Sequence, residues 1–308
     1  MPSPSAPLHD IARLGQVFTP ETVVRRMLAL RRNAGRVLEP SCGDGAFARH
    51  LPGCTAIEVD ARHCPPGALH QDFFAYPESE KFATIIGNPP YVRYQDIPET
   101  TRAWLPTEHF DGRSNLYLFF IEKCLRHLEP GGELIFITPR DFLKATSAVN
   151  LNRLLYEAGT ITDFIELGDA RIFEGATPNC AIWRFERGNF SRRTRYDAGE
   201  GSEDRHFLYA GGHLAFTHAD YTVPLADLFS VKVGAVSGAD AIFASEKHGT
   251  MDFVCSHTAK TGATKRMIFQ TPHPALKRHK KALLARRIRR FDEQTWWQWG
   301  RLHPISER

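Results

Sequence analysis

A chain of 308 residues, 42% apolar and 24% charged, can bury a substantial core and has the composition of an ordinary globular protein. Its six cysteines are scattered without a Cys-x-x-Cys pair, which argues against a disulfide framework or a structural zinc site and leaves reduced thiols as the default. The net charge of +4 is unevenly spread: residues 231–308 hold 15 Lys plus Arg against 6 Asp plus Glu, a balance of +9, while residues 1–230 hold 24 against 29, a balance of −5. Such a division points to a polyanion held mainly by the C-terminal quarter.

In chain order, MPSPSAPLHD lacks the basic start and apolar core of a secretion signal, and no apolar run approaches a membrane span. Residues 1–13 therefore read as a disordered leader of a cytoplasmic, nucleoid-associated protein with no membrane partner. FTPETVVRRMLAL predicts a helix, with Thr19 as N-cap, Pro20 at the first helical position and apolar residues at helical spacing. RVLEP, TAIEVD, FATIIGNPP and GELIFITP read as short strands. The clearest helix between them is NLYLFFIEKCLRHLEPGG, stopped by Pro-Gly-Gly. Alternating strands and helices predict an α/β fold: a doubly wound, mostly parallel sheet covered on both faces. ITDFIELGD and NCAIWRFER suggest an antiparallel pair at its edge. The polar stretch from about Gly188 to Leu225 reads as a linker or surface excursion, VKVGAVSGADAIF as a glycine-punctuated, strand-like unit, and the rest as a basic, Trp-rich tail. The expected domains are 14–225, catalytic, and 226–308, a small α+β unit.

Several motifs carry chemistry. VLEPSCGDGAF sets a strand, an acid, a Gly-x-Gly turn and a helix start in series, so the backbone can approach a ligand at the carboxyl end of the strand. It is not the G-x-G-x-x-G dinucleotide fingerprint, because Ala48 stands where a third glycine would be. About twenty residues on, Glu58 can accept hydrogen bonds from two ribose hydroxyls; Asp72 suits an adenine amino group and Phe73 the adenine ring. At the end of the next long strand, Asn88-Pro89-Pro90-Tyr91 offers a side-chain carbonyl, a backbone carbonyl on a stiff chain and an aromatic ring. An exocyclic amine on an aromatic ring is a poor nucleophile because its lone pair is delocalised. Two fixed acceptors, one for each N–H, favour a pyramidal nitrogen and free that pair for an electrophile.

GQVFTP, LEPSCGDGAF, IEVD, DFF and NPPY, in this order, resemble the S-adenosylmethionine-dependent DNA amino-methyltransferases, specifically the adenine-N6 branch with gamma-type motif order. SNLYLFFIEKCLRHLEPGGELIFITP and IFEGATPNCAIWRF resemble that family's later catalytic segments, and VKVGAVSGADAIF and LLARRIRRF its target-recognition region. The resemblance, over about residues 14–300, implies a class I, Rossmann-like methyltransferase domain followed by a DNA recognition domain. It implies that S-adenosylmethionine is the methyl donor, leaving S-adenosylhomocysteine, with no metal required. Phe18 and Thr19 would help close the cofactor pocket; Glu39, Pro40, Gly43 and Gly45 would line the methionine end, with Glu58, Asp72, Phe73 and Asn88 completing it. Asn88, Pro89, Pro90 and Tyr91 would hold an adenine flipped out of double-stranded DNA, with Phe173 as a second aromatic against it. Candidate DNA contacts are Arg93, Lys232, Ser237, Lys277, Arg278, Lys280, Lys281, Arg286, Arg287, Arg289 and Arg290. Trp296, Trp297 and Trp299 suit core or inter-subunit packing better than base contacts. The short recognition region suits a homodimer on a palindromic site. NPPY also serves RNA amines, protein glutamine amides and, less commonly with asparagine, cytosine N4; a DNA-binding regulator without turnover is the non-enzyme alternative.

Overall fold

The computed structural model describes residues 17–106, 110, 114–168, 179–199, 201–221, 223, 225–228 and 234–302. The expected leader, Phe173 and Lys232 lie outside these residues. The chain divides into two compact units, Met1–Thr222 and Val223–Arg308.

The first unit is built on one sheet. Its strands are β1 (Val37–Glu39), β2 (Thr55–Glu58), β3 (Leu69–His70), β4 (Phe82–Gly87), β5 (Leu128–Pro139), β6 (Gly159–Glu166), β7 (Cys180–Arg187), β8 (Arg193–Asp197), β9 (Ser202–Ala210) and β10 (His213–Thr217). Its helices are α1 (Glu21–Leu28), α2 (Glu99–Arg102), α3 (Leu116–His127) and α4 (Val149–Ala158). The spatial order is β10-β9-β8-β6-β7-β5-β4-β1-β2-β3. From β3 to β5 all pairings are parallel, and β7 runs antiparallel between β5 and β6. After β1 the chain builds β2 and β3 on one side and then crosses to lay β4 on the other. That reversal opens a crevice at the carboxyl ends of β1 and β4, where open α/β sheets take ligands.

Both faces of the sheet are covered, which is why its central strands read as unbroken apolar runs. Val37, Ile86 and Ile135 pack with Val23, Val24 and Met27 of α1. Their neighbours Leu38, Ile85 and Leu134 point the other way, into a core shared with Leu118, Phe119 and Ile121 of α3. Asn115 caps α3 by accepting from the Tyr117 N–H. A buried ion cluster ties the α1–β1 connection to the sheet: Arg184 Nε lies 2.5 Å from Glu133 Oε2, and Glu133 also accepts from the Arg32 and Asn33 amides and the Thr84 hydroxyl.

In the first unit four sequence expectations change. Pro20, not Thr19, occupies the N-cap of α1, and Thr19 turns instead toward Asn88. The Gly-x-Gly turn leads only into one 3₁₀ turn, Ala48–His50. β6 and β7 do pair antiparallel, but not at the edge, because β8 pairs with β6. The supposed linker is that extension: β8, β9 and β10. In β8, Thr194 and Tyr196 are buried while Arg193 and Arg195 are exposed, a period-2 pattern hidden by the density of charge. Gly211 and Gly212, at φ 57° and 85°, close the β9–β10 hairpin in the two-residue turn that needs positive φ at both positions. A Cβ on Gly212 would also sit 2.8 Å from the Val149 side chain.

In the second unit, the described elements are α5 (Leu225–Leu228), α6 (Asp240–Phe243), a hairpin of β11 (Met251–Phe253) and β12 (Lys265–Met267) enclosing α7 (Ser256–Thr261), and α8 (Lys280–Leu284) after a 3₁₀ turn at Pro274–His279. ADAIF, expected as part of a strand-like unit, is thus a helical turn. Phe243, Met267, Ile268, Leu276, Leu283, Trp296 and Trp299 form its core. Trp299 stacks on Phe253 and donates its indole N–H to the Ile268 carbonyl at 3.0 Å. Among the described residues no helix is long and apolar enough to cross a membrane.

Candidate active site

A cavity of about 1050 Å³, counted out to its open mouth, lies at the carboxyl ends of β1, β2 and β4 and is bordered by the segment Val17–Thr19. The loop after β1 is held by acids at the ends of two strands. Glu58, 4% exposed, accepts the Gly43 N–H through Oε2 at 2.7 Å and the Asp60 N–H through Oε1 at 2.9 Å. Glu39, 1% exposed, accepts the Ala48 N–H at 2.7 Å. Burial pushes the Glu39 carboxyl up to about 8 against the hydrogen bonds that favour its anion. Gly43, at φ 52°, lets the backbone turn beneath Phe18, which borders the cavity while 53% exposed.

At the far end, Asp72 accepts from the Phe74 N–H at 2.8 Å and from the Thr101 hydroxyl at 2.5 Å. Each oxygen keeps a lone pair for another donor. Phe73 borders the cavity but is committed to packing, with ring centroids 5.2 Å from Phe120 and 5.4 Å from His127. Lys123 fixes the turn that carries it by donating to the Phe74 and Tyr76 carbonyls, both at 2.9 Å.

Asn88 follows β4 directly. Its Nδ2 donates to the Val17 carbonyl at 3.1 Å and to Thr19 Oγ1 at 3.3 Å, and its backbone carbonyl accepts from Ser41 Oγ at 3.2 Å. Its Oδ1 is shielded from water and has no partner. Of the described residues lining the cavity, Asn88 alone carries such an atom. Leaving a buried acceptor unpaired costs about 1–3 kcal/mol, so its retention calls for an explanation.

The expected residues are not all brought to the cavity. Phe18, Thr19, Glu39, Pro40, Gly43, Glu58, Asp72, Phe73, Asn88 and Pro90 line it. Gly45, Pro89 and Tyr91 do not. Gly45, at φ 79°, turns the chain against Pro65, where a Cβ would meet the proline ring at 3.3 Å. Pro89 is buried. Tyr91 is tethered from below, its hydroxyl donating to the Ile137 carbonyl at 2.8 Å while its ring meets Tyr117 edge-on. Sequence reading missed Val17, Thr101, Val92 and Phe120, which also line the cavity. Val17 sits one residue before the FTP motif; Thr101 has no local signal.

In the second unit, Lys277, Arg278, Lys281, Arg287, Arg289 and Arg290 are exposed, and Lys280 is half-buried and paired with Glu293. Two expected DNA contacts are instead internal. Ser237 is fully buried, bonded to Asp240 and to the Ala239 N–H. Arg286 is 9% exposed and donates to the carbonyls of Leu283, Ser237, Trp296 and Gln298. Burial, aided by Arg289, pulls its guanidinium down to about 10. In the first unit Arg93 is exposed and paired with Asp96 at 2.6 Å.

Residues 64–173 match the Eco57I restriction-modification methylase family. Among curated relatives, the chain is 30% identical over 189 residues to the type II methyltransferase M.HincII of Haemophilus influenzae, an alignment covering 57% of this chain and 38% of that one. With M.TthHB8I of Thermus thermophilus it shares 34% identity over 210 residues, covering 60% and 48%. The chain thus spans under half the length of these two relatives. The modification subunit of a putative type I restriction enzyme from Vibrio vulnificus YJ016 has a similar fold, with TM-score 0.51 at 14% identity, covering 66% of this chain and 59% of that one.

Proposed function

We propose that this chain transfers a methyl group from S-adenosylmethionine to the N6 amine of adenine in double-stranded DNA. The unpaired Oδ1 of Asn88 beside the cavity carries the reading. The chain leaves this acceptor without a partner, and an N–H arriving with the substrate satisfies it once the groups covering Oδ1 move aside. The match of residues 64–173 to the Eco57I restriction-modification methylase model favours DNA as the bearer of that amine, and the resemblance to the adenine-N6 branch, with Asn88 at the head of NPPY, favours adenine over cytosine.

The residues present fit the cofactor. Glu58 is placed for ribose hydroxyls, Asp72 keeps acceptor capacity for an adenine amine, and the Gly43 turn leaves room for the backbone to close on the methionine end. When bound, S-adenosylmethionine supplies a methyl group on a sulfonium, electrophilic enough to need no further activation. The chain's own task is to make the amine nucleophilic and hold it in line. Asn88 Oδ1 takes one N–H and the Pro89 carbonyl the other, disfavouring the planar amine and turning its lone pair out of conjugation. Tyr91, braced by Ile137, gives the base a fixed ring to rest against.

DNA contact is assigned to the second unit. From Phe253 to Phe291 the sequence has 11 Lys plus Arg and no Asp or Glu. Phosphate contacts of this kind offset the few kcal/mol needed to extrude a base.

The test is transfer of labelled methyl to duplex oligonucleotides, RNA and protein, with the modified base read by sequencing genomic DNA from cells with and without the chain. N6-methyladenine at a fixed motif supports the proposal. N4-methylcytosine, or label only in RNA or protein, replaces it; tight cofactor and DNA binding without transfer leaves a non-catalytic DNA-binding protein.

A further inference from the structure

We infer that Thr19, with the Val17 carbonyl, is a positioning residue that sets which end of the Asn88 amide faces the substrate amine; this rests on the reading given under Proposed function. An asparagine amide turned by 180° exchanges a carbonyl for an NH₂ of nearly the same shape. In one orientation it accepts from an incoming amine; in the other it presents a donor to a donor. Nothing in the Asn-Pro-Pro-Tyr sequence selects between them.

The chain makes the selection elsewhere, about seventy residues earlier. The Val17 carbonyl has no proton to give, so the amide end facing it at 3.1 Å is Nδ2. The second Nδ2 proton meets Thr19 Oγ1 at 3.3 Å. Both donors of the amide are thereby consumed within the chain, and Oδ1 alone remains unpaired. Ser41 Oγ, donating to the Asn88 backbone carbonyl at 3.2 Å, keeps the main chain from following a side-chain rotation. Thr19 does not serve helix α1, whose N-cap is Pro20 and has no side-chain hydrogen bond. Its hydroxyl therefore has a partner in the site and none in the helix cap.

Thr19→Val keeps the branched shape but cannot accept a hydrogen bond, whereas Thr19→Ser keeps the hydroxyl. The measurement is kcat at saturating S-adenosylmethionine on duplex DNA bearing the unmethylated target motif. Loss of one hydrogen bond from a preorganised acceptor predicts about a tenfold lower kcat for Thr19→Val. Thr19 also borders the cavity, so the rate at saturating donor is the deciding quantity, and Thr19→Ser should recover most of it. Unchanged kcat in Thr19→Val at saturating donor, or a Thr19→Ser as slow as Thr19→Val, overturns the inference. If Asn88→Ala abolishes transfer and Thr19→Val does not slow it, only the positioning role falls. If the parent methylates no DNA, or Asn88→Ala transfers at full rate, the functional reading falls and takes this one with it.

Discussion

At the scale of single residues, Asn88 and Glu39 make opposite demands. Asn88→Ala removes an acceptor needed when the amine changes geometry, so transfer should fall by about 100-fold or more while calorimetry finds cofactor affinity within a few-fold of the parent. Glu39 is a stability element with a pH signature. Its folded value of about 8 lies above the ordinary 4.5, so the native state holds a proton that the unfolded chain has released. Stability from this group is complete below about pH 4.5 and is lost as pH rises through about 8, at up to about 1.4 kcal/mol per unit. Thermal melts of the parent between pH 5 and 9 should show this decline, and Glu39→Gln, which mimics the neutral acid, should remove that component. A parent whose midpoint rises across the interval refutes the assignment. Residues of this kind were legible in sequence because a strand-end acid, a Gly-x-Gly turn and NPPY place chemistry by local spacing. Val17 and Thr101 were not, since their contacts join segments that only the fold brings together.

At the scale of elements, the buried ion cluster and the sheet extension show where pattern reading stops. Glu133 is fully buried between Arg184, Thr84 and the backbone of residues 32 and 33. Glu133→Ala should cost about 1–3 kcal/mol, readable as a lower denaturant midpoint, because it takes the acceptor from Arg184 Nε, the Thr84 hydroxyl and the Arg32 and Asn33 amides while Glu186 and Asp163 still face the guanidinium. In the sequence Glu133 is one more charge after a Gly-Gly turn; burial makes it costly to remove. Strands β8 to β10 were hidden for a related reason. Arg193 and Arg195 alternate with buried Thr194 and Tyr196, but composition registers the arginines first. Arg286 and Arg287 are adjacent in one basic run, and only the turn after α8 sends the first inward to four carbonyls and the second to solvent.

For the whole molecule, charge divides the chain: residues 1–230 carry a balance of −5 and residues 231–308 one of +9, with methyl transfer proposed for the first unit and DNA contact for the second. Replacing exposed Arg287, Arg289 and Arg290 by alanine should weaken DNA binding and reduce the slope of log K against log salt by about 0.9 for each phosphate no longer neutralised. Arg286→Ala should instead lower the thermal midpoint of the protein, because it removes an internal clamp. If the three exposed substitutions leave the salt slope unchanged, the basic run is only a solvated surface. The parallel core and its reversal at β1 and β4 were readable from alternating strand and helix signals. The number of strands was not, because the added hairpin carries its information in side-chain alternation and two glycines.

Val17, Phe18 and Thr19 wall the cavity, and two of them also tether the Asn88 amide. A molecule lodged against that wall steadies the tether, whether or not it still has a methyl group to give. Spent cofactor should then hold a target adenine as firmly as fresh cofactor does. Turnover would follow a compulsory order, with the nucleoside entering first and leaving last, and the demethylated product inhibiting competitively against the donor but not against DNA.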